Sequence, residues 1–248
     1  MFFCRRINLC ARCFPKRNLY GNEVPGLRYN LFHADQKHGD DVPMTDHRGD
    51  QQWFEGVYAS AQQQTNNIPW ADLRPNPFMY EWLETVQPDT RNKSAVVVGC
   101  GLGDDAEELS RRGYNVTAFD VSATAVDWCR QRFPNSKVDY TVADLFNLPK
   151  DWHFDFVLEI NTVQAIPVAV RREVVNAIAG LVAPGGTLLA IGRLAKTVEQ
   201  QIKRPWPLTR AELHYFVDAG LTELRFDTVG DAEIAALSLV RFQVTYRR

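Results

Sequence analysis

The strongest chemical signal in the chain is the run Val98-Gly99-Cys100-Gly101-Leu102-Gly103-Asp104-Asp105, three glycines between a short apolar segment and an amphipathic one. Glycine at a strand-to-helix turn permits a tight bend and leaves main-chain N–H groups bare, so a ligand can approach the backbone itself. A tight turn alone can also demand glycine, and the trio gains meaning from the acids that follow it. Asp120 ends the next apolar segment, 17 residues beyond Gly103, close to the spacing of about 20 at which an acid accepts hydrogen bonds from ribose hydroxyls. Asp144, in Val142-Ala143-Asp144-Leu145-Phe146, is placed to accept from an adenine amino group while Leu145 or Phe146 covers the ring. Either acid could instead cap a helix or a turn.

A dinucleotide fingerprint, G-x-G-x-x-G, would put its third glycine at position 104, where this chain has Asp; the spacing here is G-x-G-x-G. A pyrophosphate rests on the N-terminus of the helix after such a loop, and Asp104 and Asp105 put two negative charges there. The loop is therefore expected to suit a cofactor without phosphates that carries a sulfonium and an ammonium. S-adenosylmethionine is such a molecule.

Positioning these residues requires a frame of alternating strand and helix. Apolar runs predict strands at Ala95–Val98, Val116–Asp120, Val138–Val142, Phe154–Ile160 and Thr187–Ile191, and the segments between them predict helices at Asp104–Arg112, Ser122–Phe133 and Val170–Leu181. That alternation signals an α/β fold with a parallel sheet covered on both faces. Ser122 can N-cap its helix, Gly113 sits where a terminating glycine belongs, and Pro184-Gly185-Gly186 is expected to turn the chain into the fifth strand. Upstream, helices are expected around Gln51–Gln64 and Pro77–Val86; downstream come a helix at Thr209–Ala219 and two strands near Leu221–Asp227 and Leu237–Tyr246, joined at Gly230-Asp231 as an antiparallel edge pair.

Through VVVGCGLG at 96–103, FDVS at 119–122, VADLF at 142–146, FDFVLEINTVQAIP at 154–167 and APGGTLLAI at 183–191, the chain from about residue 51 to 248 resembles the class I S-adenosylmethionine-dependent methyltransferases. The resemblance implies their Rossmann-like seven-stranded sheet, five parallel strands plus an antiparallel terminal pair, with an N-terminal helical cover. It implies a cofactor site at Gly99, Cys100, Gly101, Gly103, Asp120, Val121, Ser122, Asp144 and Leu145. Trp53-Phe54-Glu55 with Tyr58, Ile68-Pro69-Trp70-Ala71-Asp72 and Pro75-Asn76-Pro77 make it similar to the branch containing thiopurine, thiol and halide methyltransferases. There Trp53 and Trp70 would cover the cofactor and shape the pocket, though packing alone could explain both. Glu159 corresponds to the branch's acid at the end of strand four, beside the methionyl part of the cofactor or the acceptor. It would stabilise the ammonium or sulfonium, or take a proton from the nucleophile. Thiopurine-type members follow this acid with Arg-Gly, whereas here Ile160-Asn161 follow it. Gln164 then offers a neutral donor and acceptor, and Arg193 is the nearest candidate for an anion or a solvated side chain. Trp206, between Pro205 and Pro207 in the connector from Leu194 to Leu208, is a third aromatic candidate for the substrate pocket.

No Ser-His-Asp or Cys-His set can be assembled and no histidine has metalloenzyme spacing, so no metal is expected. Without an evident general base, a soft nucleophile such as a thiol, a selenol or a halide is favoured. The alternatives are O- or N-methylation of a small metabolite with Glu159 as base, or a cofactor-binding module without chemistry. The 248 residues hold 28 Lys and Arg against 30 Asp and Glu, which argues against a nucleic-acid partner. No apolar run is long enough to span a membrane, so a small-molecule partner and a cytoplasmic location are expected, with monomer and homodimer both open.

Charge is uneven: residues 1–43 carry seven basic and four acidic residues, the rest 21 and 26. Residues 1–43 read as an extension, with targeting by residues 1–20 or a metal stub on Cys4, Cys10 and Cys13 as alternatives. Residues 44–248 read as the methyltransferase domain, 44–90 as cover and 91–248 as core. A chain beginning at Met44 is expected to keep its full cofactor affinity in a titration; a large loss would show that the first 43 residues belong to the fold.

Overall fold

Strands apolar on both faces pair in parallel when helices cross over and cover them. The computed structural model describes residues 47–195, 204–229 and 240–248, with side chains described except at 47–50 and 229. The basic first segment, its cysteines, most of the connector after Leu194 and the Gly230-Asp231 turn lie outside the described residues.

Strands β1 (Ser94–Val98), β2 (Asn115–Asp120), β3 (Asp139–Val142), β4 (Phe154–Ile160), β5 (Val182–Leu194), β6 (Thr222–Val229) and β7 (Val240–Arg247) form one seven-stranded sheet in the order β3-β2-β1-β4-β5-β7-β6. The first five are parallel; β7 runs antiparallel to both β5 and β6. The chain changes direction across the sheet between β1 and β4, and ligands of open α/β sheets bind outside the carboxyl ends at such a switch point. Val98 stands level with both Phe119 and Glu159, and Glu159 with Ala190, so these strand ends share one edge.

Alternate residues of β1 feed opposite cores. Val96 and Val98 pack with α6 (Arg171–Gly180), α7 (Arg210–Leu213) and α8 (Tyr215–Asp218), while Ala95 and Val97 pack with α2 (Pro77–Val86), α3 (Asp104–Arg111) and α4 (Ala123–Arg132). A smaller cluster of Tyr58, Ala61, Ile68, Leu102, Ala125 and Trp128 fastens α1 (His47–Ser60) over the glycine loop and α4.

Three expectations need correction. The first helix runs His47–Ser60 rather than Gln51–Gln64, because Gln62 and Gln63 adopt left-handed backbone angles that end it. The helix expected at Thr209–Ala219 is split at His214 into α7 and α8. The fifth strand starts at Val182, not Thr187, and Pro184-Gly185-Gly186 forms an irregularity inside it. Val182 pairs with Phe154 and Thr187 with Phe156. The Gly185 N–H donates to the Arg248 carbonyl at 2.9 Å and the Arg248 N–H to that of Gly186 at 3.1 Å, so the end of the chain holds the irregularity in the sheet.

Arg171 is 1% exposed and forms an ion pair with Glu212, while its Nη2 donates to the Trp206 carbonyl at 2.9 Å. Removing one partner leaves a buried charge uncompensated, so Arg171→Met should destabilise the protein by about 3 kcal/mol in urea unfolding. Arg171→Met with Glu212→Leu should recover much of that loss.

Candidate functional site

The glycine loop needs its glycines for geometry. Gly99, Gly101 and Gly103 have φ of 60°, 54° and 89°, angles at which a side chain is strained. A Cβ on Gly99 would also meet the Thr162 Oγ1 at 2.6 Å, and one on Gly103 the Tyr140 hydroxyl at 2.6 Å. Gly103 precedes α3, and the backbone at Gly99 is exposed at the carboxyl edge of the sheet, open to a ligand.

Asp120 ties this loop to the next strand. Its Oδ2 accepts the Gly101 N–H at 3.0 Å and its Oδ1 the Ser122 N–H at 3.0 Å. Burial pushes its pKa up to about 6, against the pull of those bonds. Ser122 N-caps α4 through the Ala125 N–H at 3.0 Å, and Val121 stands between the two polar residues. Asp144 caps the single turn Leu145–Asn147 through the Phe146 N–H at 3.0 Å, half-buried beside buried Leu145. The capping alternative for Asp144 is thus realised in its Oδ1.

The two acids after the loop do not present free charge to a ligand, which overturns the electrostatic reasoning built on them. Asp104 is held bidentately by Arg132 at 2.8 and 2.9 Å. Asp105 accepts the Asn76 N–H at 2.6 Å, and burial pushes its pKa up to about 7. Cys100 is buried, and its hydrogen bond with Cys129 together with burial raises its thiol pKa well above the usual range. It is a fitted small residue rather than a thiolate.

Above the loop sit residues of α1 whose role the sequence did not reveal. Tyr58 is 2% exposed, its hydroxyl accepts the Trp70 Nε1–H at 2.7 Å, and a Cβ on Gly101 would lie 3.3 Å from it. Glu55 accepts from the Ser122 hydroxyl at 2.7 Å and from the hydroxyl and N–H of Thr124. Burial would raise its pKa, but the Thr124 and Ser122 donors hold it below the usual carboxylate value. A carboxylate three residues before a Tyr on one helix face was the available signal; its partner at Ser122 was not. Trp53 lies 6.0 Å from Trp70, centroid to centroid, and the Arg204 guanidinium carbon sits 4.2 Å from the Trp53 centroid and 5.2 Å from that of Trp206. The three predicted tryptophans therefore converge, joined by an arginine that sequence reasoning passed over.

At the end of β4, Glu159 is 1% exposed and its Oε1 accepts the Val163 N–H at 3.0 Å, at the start of α5 (Thr162–Ala165). Burial pushes its pKa up to about 7, opposed by bonds from Val163 and Thr162 and the charge of Arg171. Asn161, with φ of 63°, has a buried Oδ1 with no hydrogen-bond partner among the described residues. Gln164 is 3% exposed, its Oε1 accepts the Arg193 N–H at 2.8 Å and its carbonyl accepts the Trp206 N–H at 2.7 Å, so it joins α5, β5 and the Trp206 segment. Arg193 is half-buried, and burial together with the charge of Arg241 lowers its pKa to about 10. Among the described residues no three His, Cys, Asp or Glu group as a metal site, and no helix is long and apolar enough to cross a membrane.

Residues 95–186 match a family described as methyltransferase domain. The chain is 28% identical over 127 residues to a protein of Arabidopsis thaliana named probable thiol methyltransferase 2, covering 50% of this chain and 55% of that one. It is 31% identical over 107 residues to a fatty-acid O-methyltransferase of Mycolicibacterium smegmatis, covering 42% of this chain and 38% of that one. It thus spans about half, or less, of the length of these curated relatives. Among solved structures, the Burkholderia thailandensis 1,6-didemethyltoxoflavin-N1-methyltransferase with bound S-adenosylhomocysteine is similar with a TM-score of 0.62 and 16% identity, over 84% of this chain and 92% of that one. Magnesium protoporphyrin IX methyltransferase of Synechocystis PCC 6803 with bound SAM is similar with a TM-score of 0.62 and 14% identity, over 85% of this chain and 100% of that one. The fold is the Rossmann-like sheet of class I methyltransferases.

The raised carboxyl pKa values carry a stability consequence. Glu159 binds its proton more tightly folded than unfolded, so the stability it contributes is present at acid pH and fades as pH rises from about 4.5 through about 7. Asp105 and Asp120 act with the same sign. Urea unfolding across this window should show stability falling with pH, and Glu159→Gln should flatten part of that slope.

Proposed function

We propose that this chain, whose residues 95–186 match a methyltransferase domain, transfers the methyl group of S-adenosylmethionine to a small-molecule acceptor, at a thiol or another soft centre. The carrying observation is the convergence of the open Gly99 backbone, the Asp120 clasp and two buried acceptors, Glu159 and Asn161 Oδ1, at one edge of the sheet.

The residues present fit that cofactor. A buried amide oxygen without a partner costs desolvation unless a donor reaches it, and a ligand ammonium offers donors to Asn161 Oδ1 and Glu159 together. Asp120, held still by its backbone bonds, would accept from ribose hydroxyls; Asp144 and Leu145 would take the adenine end; Gly99, Gly101 and Gly103 would let the main chain approach. Trp53 and Trp70, in contact on the α1 side, would exclude water from the reacting end. When bound, the cofactor supplies an electrophilic methyl on a sulfonium.

The protein contributes mainly by holding the acceptor in line and dry. Glu159 favours its charged form beside a cation, so the proton held near pH 7 in the free protein would leave its carboxylate on loading, and cofactor affinity should rise with pH through that range. The soft-nucleophile preference is supported by the thiol methyltransferase relative. The competing reading, O- or N-methylation with Glu159 taking the acceptor's proton, is favoured by its raised pKa.

Labelled methyl transfer to a panel of thiol, halide, amine and phenol acceptors decides between them. Transfer to thiols or halides is expected, with Asp120→Ala lowering kcat/KM by about a hundredfold or less through lost cofactor binding. Transfer confined to amines or phenols and abolished by Glu159→Gln would replace the soft-nucleophile reading.

A further inference from the structure

Gln164 is only 3% exposed, yet half of its carboxamide is unused. Its Oε1 accepts the Arg193 N–H at 2.8 Å, whereas no described residue accepts from its Nε2. The opposite amide orientation would set two donors against each other, so hydrogen bonding itself fixes which end faces β5. Gly192 makes room for that contact: a Cβ there would lie 3.2 Å from Gln164 Oε1 and 2.9 Å from the Phe242 ring. The residue is anchored through its main chain as well, because its carbonyl accepts the Trp206 N–H at 2.7 Å and Arg171 holds the Trp206 carbonyl. On the same short helix, α5, the Val163 N–H binds Glu159, which puts the amide beside the strand end proposed to meet the cofactor's charged end. Gln164 thus carries a held donor, turned away from β5 and next to the reacting end of the cleft.

Resting on the methyltransferase reading, we propose that the acceptor carries a carbonyl oxygen and that Gln164 Nε2–H donates to it, setting the acceptor's orientation toward the methyl group. An amide N–H pair on a residue this buried is costly to leave without a partner. A ligand oxygen with lone pairs and no proton of its own is the complement, and a carbonyl is the common group of that kind. Carboxylates are met by charged donors, and Nε2 is neutral. A site built around such a donor rejects an analogue that lacks the oxygen. Gln164 is then a specificity-determining residue for the acceptor, distinct from Glu159, Asn161 and Asp120, which act on the cofactor.

The test uses the full chain, saturated with S-adenosylhomocysteine, and three probes of similar shape: meta-acetylbenzenethiol, meta-isopropylbenzenethiol and meta-mercaptobenzoate. Calorimetry reads their affinities, and isotope-edited infrared difference spectra read the carbonyl stretch of the bound ketone. The ketone is expected to bind about tenfold more tightly than the hydrocarbon, and more tightly than the carboxylate, with its stretch lowered relative to that in hexane. Gln164→Met keeps the length of the side chain and removes the donor. It should erase the ketone's advantage and return the stretch to its position in hexane, while S-adenosylhomocysteine binding shows that the variant folds. A purely structural role would weaken ketone and hydrocarbon alike and leave their ratio as in the wild type. If the variant does not fold, the wild-type ratio and stretch decide alone. No binding of the ketone, no ketone advantage, an unshifted stretch, a preference for the carboxylate, or an advantage that survives Gln164→Met would overturn the proposal. Failure of S-adenosylhomocysteine to bind the wild-type chain would defeat the methyltransferase reading instead. The stretch of the ketone on the unloaded chain would then still show whether Gln164 donates to it.

Discussion

One buried carboxylate organises the carboxyl edge of this sheet. Asp120 accepts a backbone N–H from the glycine loop with one oxygen and a backbone N–H from the start of α4 with the other. The loop can take its left-handed angles only because its glycines lack side chains, and it keeps them because Asp120 and the Phe119 carbonyl, which accepts the Cys100 N–H at 2.9 Å, hold it to β2. Everything proposed for the cleft depends on this clasp. It fixes where bare backbone faces a ligand and where α4 begins.

The cover is fastened to the same point. Glu55 reaches from α1 to Ser122 and Thr124, Tyr58 sits over Gly101, and Trp70 donates to Tyr58. Asp104, paired with Arg132, ties the start of α3 to the end of α4. The acceptor end is assembled from more distant parts, with Gln164 joining α5 to β5 and the Trp206 segment, and Arg171 holding the Trp206 carbonyl.

Local pattern made much of this legible. Strand β4 matches its expected bounds, and β1, β2 and β3 begin within one residue of theirs, because apolar runs bounded by glycine, proline and polar turns leave little choice of register. Gly99, Gly101, Gly103 and Asp120 were readable because their chemistry is tied to a turn of fixed length. The start of β5 was not, since Pro184-Gly185-Gly186 looks like a turn and is kept in the sheet by Arg248, far along the chain. The same limit applied to charge. Spacing placed Asp104 and Asp105 at a helix start but could not show that Arg132 and the Asn76 N–H engage them. With both charges engaged, the groups left to distinguish a cofactor at this edge are Asn161 Oδ1, Glu159 and the Asp120 clasp. Glu55 and Arg204 went unread because their partners lie on other elements.

Whether this edge binds S-adenosylmethionine and not a dinucleotide is read from a calorimetric titration of the full chain. Saturable one-to-one binding of S-adenosylhomocysteine is expected, tighter at pH 8 than at pH 6 because Glu159 would lose its proton on loading, with no comparable heat from NAD. Tighter binding of NAD, or no binding of S-adenosylhomocysteine at either pH, would contradict it.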